Sequence, residues 1–185
     1  MIEEVLGAIE LAKSVGSTVA SLTAEPKDLK EKYRSMQVTV VNRTQFELVY
    51  KGSHMAHGRF WTSPTNATKF DSTTFSACNL DGSILTGLQG VCIYELRMPT
   101  KDGYESLNIG VGFDDPAIGS RAALVEFTSN ARKMDNSSKM KENGHSLTSK
   151  NFAGKDKDGK DVTVRFVVSY TPASVMKVTI TQEVV

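Results

Sequence analysis

Hydrophobic residues change their spacing once along this chain, near Ser35. Before that residue they recur at steps of mostly three and four, which places them on one face of an α-helix. After it they alternate with polar residues, as in a half-buried β-strand. The sequence therefore predicts an N-terminal helix and linker over residues 1–34, followed by one β-sandwich over residues 35–185.

The predicted helix covers residues 2–22 and has one apolar stripe. Its members are Ile2, Val5, Leu6, Ile9, Ala12, Val15, Val19 and Leu22. A helix of this length is about 30 Å long, which matches the hydrocarbon core of one bilayer. The spacing alone favours a helix that packs permanently on the sandwich, because most amphipathic helices do so.

The alternation of apolar and polar residues is clearest in four segments, at 36–40, 46–50, 162–170 and 176–180. Asp-Gly pairs at 81–82 and 102–103 mark turns between such segments. Many short strands joined by turns of this kind predict a mostly β chain folded as an antiparallel sandwich or barrel.

The charge balance argues against two kinds of partner. The 22 basic and 21 acidic residues nearly cancel, so no net field would hold the chain on nucleic acid or on an anionic bilayer. No basic region precedes an apolar run at the N-terminus, so we expect no signal peptide in this sequence. Three matches to the N-glycosylation motif, at Asn42, Asn66 and Asn136, suit a secreted protein.

Catalytic groupings are absent from the sequence. His54 and His57 fall in a loop-like stretch and His145 is distant, which is a poor zinc set. Asp114 and Asp115 are adjacent, so on a strand they point to opposite faces and cannot share a proton. No motif joins a nucleophile to a base. We therefore expect a protein that is not an enzyme and that uses no cofactor and no metal.

The two cysteines, Cys78 and Cys92, lack the spacing of a zinc site or a redox pair. The dipeptides Asp81-Gly82 and Thr86-Gly87 turn the chain between them, so we predict that the cysteines lie on paired strands of one hairpin. A disulfide and two buried thiols are both compatible with the sequence.

Several short motifs, taken with the order of elements, resemble the actinoporins, the pore-forming cytolysins of sea anemones and their relatives. The motifs are Phe75–Gly82 with Val91–Tyr94, Val111–Asp114, and the C-terminal pair Val164–Phe166 and Met176–Ile180. The resemblance covers nearly the whole chain. It implies an antiparallel β-sandwich with an N-terminal amphipathic helix and a second short flanking helix, here near Asp135–Met140. Fungal fruit-body lectins share this fold.

The resemblance also implies a function. It implies a secreted protein that docks on a target-cell membrane, forms homo-oligomers there and inserts its N-terminal helix to line a pore. The positions that match the family's head-group and membrane-facing region, together with the aromatic pair at 60–61, are the candidates for lipid contact: Ser53, Phe60, Trp61, Gly112, Phe113, Asp114, Ile118 and Arg121.

The chain departs from the family where the family binds phosphocholine. The segments Asp115–Ala122 and Asp135–Met140 contain no aromatic residue, whereas the family has Trp and Tyr there. Such aromatics hold a quaternary ammonium by cation–π contact. We therefore expect weak or altered recognition of choline lipids. The alternative is a non-lytic, lectin-like module that binds a lipid or a glycan, with Trp61 as a stacking surface.

Overall fold

The structure is a computed structural model, and it describes residues 27–83, 85–156 and 158–185. The predicted helix over residues 2–22 lies outside the described residues. The described chain is mostly β, and its two sheets pack face to face, which confirms the predicted sandwich. Within those ranges, no helix is long and apolar enough to cross a bilayer.

Eleven strands and two short α-helices make up the described chain. The strands are β1 (Ser35–Arg43), β2 (Glu47–His57), β3 (Arg59–Thr62), β4 (Ser72–Cys78), β5 (Leu88–Thr100), β6 (Gly103–Asp115), β7 (Ala122–Glu126), β8 (His145–Thr148), β9 (Phe152–Lys155), β10 (Asp161–Thr171) and β11 (Val175–Val184). The helices are α1 (Lys27–Lys30) and α2 (Ala131–Met134), and a 3₁₀ turn follows at Ser137–Lys139.

The larger sheet has the strand order β3-β4-β1-β11-β10-β8, with β9 also paired to β10. The smaller sheet has the order β2-β5-β6-β7. The paired strands run antiparallel, as predicted, except that β1 and β11 pair in parallel. These two strands are far apart in sequence, and no hairpin turn joins them to force opposite directions.

The core lies between the two sheets. On β10 the buried residues Val164, Phe166, Val168 and Tyr170 alternate with more exposed ones, which is the pattern predicted from the sequence. Phe75 of the larger sheet and Phe113 of the smaller sheet meet across the core, with ring centroids 5.6 Å apart. Burying a phenylalanine side chain stabilises a fold by about 1.5–3 kcal/mol, so contacts of this kind hold the two sheets together.

The cysteines lie on different sheets. Cys78 on β4 pairs with Ser35 and Arg59, whereas Cys92 on β5 pairs with Ser53. The prediction of one hairpin was wrong, because the chain crosses from one sheet to the other between β4 and β5. Both thiols are free and buried, and burial raises the pKa of each.

Candidate functional site

Three segments meet at one end of the sandwich, which we call the loop end. They are residues 32–34 before β1, the connection from β4 to β5, and the loop 116–121 between β6 and β7. Arg34 joins them. Its Nη2 donates to the carbonyl of Ala117 at 2.7 Å, and its own carbonyl accepts from the backbone N–H of Asn79 at 3.0 Å.

Gly87 sets the distance between two of these segments. A Cβ at this position would lie 2.5 Å from the carbonyl oxygen of Asp115 and 2.6 Å from the Cα of Pro116. Real side chains do not come that close to backbone atoms, so only glycine lets the two loops touch. The loop 116–121 therefore rests directly on the connection between β4 and β5.

The side chain of Asp115 anchors the same loop. It is almost fully buried, and its two carboxylate oxygens lie 3.2 Å from Arg121 Nη2 and 3.6 Å from Arg34 Nη1. Burial raises the pKa of Asp115, and the two guanidinium groups oppose that shift. Arg121, a candidate for lipid contact, is therefore engaged by a carboxylate of its own chain and holds the loop in place.

Large apolar side chains are exposed at the loop end. Leu85 is 84% exposed, Ile118 is 92% exposed and Leu80 is 50% exposed. Leu85 and Ala117, the neighbour of Ile118, line one cleft of about 320 Å³. Single exposed leucines are ordinary, whereas several exposed apolar side chains at one place are typical of interaction surfaces.

Asp114 lines that cleft together with His57 and Gln89. Burial raises the pKa of Asp114 to about 6, the charge of Asp115 adds to the shift, and His57 opposes it. The carboxylate therefore changes charge at a mildly acidic pH. As predicted from their adjacency, Asp114 faces the cleft while Asp115 is buried.

Trp61 stands beside the loop end on the edge strand β3 and is exposed. Two cations lie over its ring, with Lys32 Nζ at 5.4 Å and Arg59 Cζ at 5.2 Å from the centroid. Both cations also pair with Asp81, at 2.5 Å and 3.2 Å. The neighbouring candidate Phe60 is half-buried and packs on the core through Phe75.

Methionine side chains fill the space between α2 and the smaller sheet. Met134 of α2 is buried against Val91 and Ile93 of β5. The methyl group of Met140 would lie 3.2 Å from a Cβ at Gly112, so this candidate residue is covered. Methionine therefore occupies the face of the smaller sheet beside α2.

A polar contact closes the same region. His54 Nε2 lies 3.1 Å from Asp135 Oδ2, and Gln89 Nε2 donates to Asp135 Oδ1 at 2.7 Å. His54 and His57 belong to β2, so their placement in a loop was wrong. The strand continues past Gly52 through a bulge, which lets a glycine with positive φ sit inside it.

The remaining candidates are not brought to the loop end. Ser53 lies within β2 and accepts a hydrogen bond from the Tyr50 hydroxyl at 2.8 Å. Phe113 belongs to the core. Sequence reasoning missed Lys32, Arg59 and Leu85, although two leucines beside the Asp81-Gly82 turn were a visible signal of an exposed apolar loop. The described residues contain no group of three metal-ligating side chains.

Comparison with known proteins identifies a structure that shares the fold of this chain. No protein-family model matches the sequence, and no curated protein matches it. The chain is similar to the crystal structure, at 1.5 Å, of the lipid-binding protein Nakanori. The TM-score is 0.59, and the match covers 97% of this chain and 89% of the other. The two chains share a fold. At 17% identity the likeness shows the fold of the sandwich and no further property of this chain.

Proposed function

We propose that this chain binds the surface of a lipid bilayer through the loop end. One observation carries the proposal, namely the exposure of Leu80, Leu85 and Ile118 together at that end. Burying one such side chain in an apolar phase contributes about 1.5–3 kcal/mol. Trp61 stands beside them, and tryptophan is enriched where proteins meet the bilayer interface.

The rigidity of the loop end supports the same proposal. Asp115 ties the loop 116–121 to Arg34 and Arg121, and Gly87 seats it on the neighbouring connection. A surface that is already ordered loses little conformational freedom on binding. The Nakanori structure adds that the same fold serves a protein described as lipid-binding.

Choline-lipid recognition is weak or altered in this proposal. The segments 115–122 and 131–140 contain no aromatic residue. The space beside α2 is occupied by Met134 and Met140, and the pair His54–Asp135 closes it. A quaternary ammonium therefore lacks the aromatic cradle that cation–π binding needs.

Pore formation is the second step of the proposal. Several copies would assemble on the bilayer, and residues 2–22 would insert as helices, because a backbone in hydrocarbon must satisfy its own hydrogen bonds. Glu3, Glu4 and Glu10 would face water, since an acidic side chain at the bilayer centre costs about 2.5–3.5 kcal/mol. The apolar stripe and the length of the segment support this step.

Release of a trapped dye from vesicles tests both steps. We expect the full chain to sediment with vesicles and to release the dye. Ile9→Asp, placed on the apolar stripe, should abolish release but preserve sedimentation. The matched change Ser14→Asp, on the side of the predicted helix opposite the stripe, should preserve both. Sedimentation without release from the wild-type chain would remove the pore and keep the lipid-binding step.

A glycan-binding module is the second candidate, and the exposure of Trp61 on an edge strand favours it. An aromatic ring in that position can stack on a sugar. Binding to a glycan array that disappears in Trp61→Ala, with no sedimentation on any vesicle, would select this candidate.

A further inference from the structure

The cluster formed by Lys32, Arg59, Trp61 and Asp81, which we call the cationic corner, has more positive than negative charge. Its single carboxylate, Asp81, is 66% exposed and bridges both cations. Those two pairs lower the pKa of Asp81, so it is ionised at neutral pH. One carboxylate leaves the corner with one uncompensated positive charge.

The neighbouring anchor of the loop end has the same imbalance. Among the residues that the structure describes, Asp115 is the single carboxylate paired with Arg34 and Arg121. The loop end thus carries four cations on two carboxylates, with Asp114 as the other acid of its cleft. With Asp114 ionised, these groups still have four positive charges and three negative ones, and the excess grows in mild acid because the pKa of Asp114 is about 6. The local field therefore favours an anion, although the whole chain is nearly neutral.

From this arrangement we propose that the loop end recognises the phosphate of an anionic phospholipid, with Lys32 and Arg59 as the groups that contact it. The inference rests on the proposed binding to a bilayer and names the class of head group. With Trp61 at the depth of the interface, the two cations beside its ring lie level with lipid phosphates. Arg59 and Lys32 together have more donors than Asp81 can accept, which leaves N–H groups for phosphate oxygens.

The same geometry disfavours a choline group at Trp61. Two cations already stand over the ring, at 5.4 Å and 5.2 Å. A quaternary ammonium on that ring would meet their repulsion, because like charges this close disfavour one another. The occupant is a bilayer and not a free phosphate, because Leu80, Leu85 and Ile118 beside the corner need an apolar phase.

The test compares vesicles of phosphatidylcholine with vesicles in which phosphatidylserine replaces part of it. We expect the wild-type chain to bind the mixed vesicles more tightly, and added salt to weaken that preference. Lys32→Gln and Arg59→Gln should each reduce the affinity for mixed vesicles about fivefold, and the double variant should lose more. Affinity for phosphatidylcholine vesicles should change little.

Two further variants separate recognition from a structural effect. Lys51→Gln with Arg97→Gln removes two cations that share Glu95 on the smaller sheet, away from the cationic corner, and it should preserve the preference. Asp81→Asn should tighten binding to mixed vesicles, because it removes the carboxylate that competes for both cations. A purely structural role for Asp81 predicts the opposite sign.

The outcomes distinguish this inference from the proposed function. Equal binding to both kinds of vesicle, or an undiminished preference in Lys32→Gln with Arg59→Gln, overturns the anionic head group and preserves binding to bilayers. Binding to neither kind of vesicle overturns both. Preference that is lost equally in the Lys51 and Arg97 control would assign it to total charge and reject the cationic corner.

Discussion

The two ends of the sandwich have similar charged clusters and different apolar surfaces. The end opposite the loop end, at the turn between β5 and β6, we call the hairpin end. On the way to it along β5, Lys51 and Arg97 share Glu95, and Arg97 lies 5.1 Å from the ring of the exposed Tyr104 beside that turn. The cationic corner is built in the same way from Lys32, Arg59, Asp81 and Trp61. Two cations, one carboxylate and one aromatic ring therefore do not distinguish a binding surface by themselves.

What differs is the exposure of the acid and of the side chains around it. The side chain of Glu95 is 10% exposed, whereas that of Asp81 is 66% exposed. Burial by itself would raise the pKa of Glu95, but Arg97 and Lys51 together outweigh it and lower that pKa. The exposed valines Val184 and Val185 at the hairpin end share a cleft with Lys160 and two acids, Asp156 and Asp161. The loop end differs in its more fully exposed aliphatic side chains, Leu85 and Ile118, and in the excess of cations over carboxylates in the cationic corner.

The largest expected effect comes from removing the aliphatic surface. Leu85→Asp with Ile118→Asp should weaken binding to vesicles about a hundredfold, since each side chain contributes at least about 1.5 kcal/mol on burial. Tyr104→Asp at the hairpin end is the matched control and should leave binding unchanged. Vesicle titration measures both. A large loss in Tyr104→Asp would reverse the assignment of the two ends.

Sequence patterns predicted the sheets well because a period of two repeats along every strand. The alternation in Val164, Phe166 and Val168 fixes which side of β10 is buried, and the structure confirms it. The parallel pairing of β1 and β11 was not predictable in this way, because it depends on residues more than a hundred positions apart. The separation of Cys78 and Cys92 was missed for a related reason. A turn signal shows that the chain reverses, but it does not show which sheet the chain enters.

The candidate site was only partly predictable. Trp61 and Ile118 were found as single residues, but Lys32 had no pattern because it lies in a polar linker. Its role depends on the contact with Asp81, which is 49 positions away. Local motifs place residues on strands and in turns. The meeting of three separate segments at the loop end is a property of the whole topology.

The next largest effect concerns the close contact between Gly87 and the loop 116–121. Gly87→Ala should lower the free energy of unfolding by about 1–3 kcal/mol and weaken vesicle binding, because the new methyl group meets backbone atoms of Asp115 and Pro116. Gly112→Ala is the comparison, since its methyl group meets the flexible end of Met140 and should cost less. Urea unfolding measures both. Equal costs at the two glycines would argue against a rigid loop end.

The smallest effect is a dependence on pH. The pKa of Asp114 is about 6 in the folded chain, above its usual value in an unfolded chain of about 3.9. The folded state therefore binds the proton more tightly. Ionised Asp114 therefore lowers the free energy of unfolding. This loss of stability is absent below about pH 4, grows as the pH rises, and is complete above about pH 6.

Binding should strengthen several-fold as the pH falls through about 6, because Asp114 is the one carboxylate among the described residues that line the cleft. Asp114→Asn should raise the melting temperature at neutral pH more than at pH 4 and should flatten the binding profile. His57, Asp115 and Asp135 also act on this carboxyl group. The variant His57→Gln, with Asp114 intact, tests whether the histidine causes the pH dependence. If the pH profile of vesicle binding becomes flat in that variant, the effect belongs to His57 and not to Asp114.

Trp61 provides the most direct test of the account, because it is the single tryptophan of the chain and stands beside the loop end. The measurement is its fluorescence during titration of the full chain with mixed phosphatidylcholine and phosphatidylserine vesicles, with and without a quencher attached to the lipid acyl chains. The account predicts a shift of the emission to shorter wavelength and quenching by the acyl-chain quencher at the lipid concentrations where the protein sediments with the vesicles. Sedimentation with an unchanged, unquenched emission would show that another surface binds the membrane, and it would contradict the assignment of the loop end.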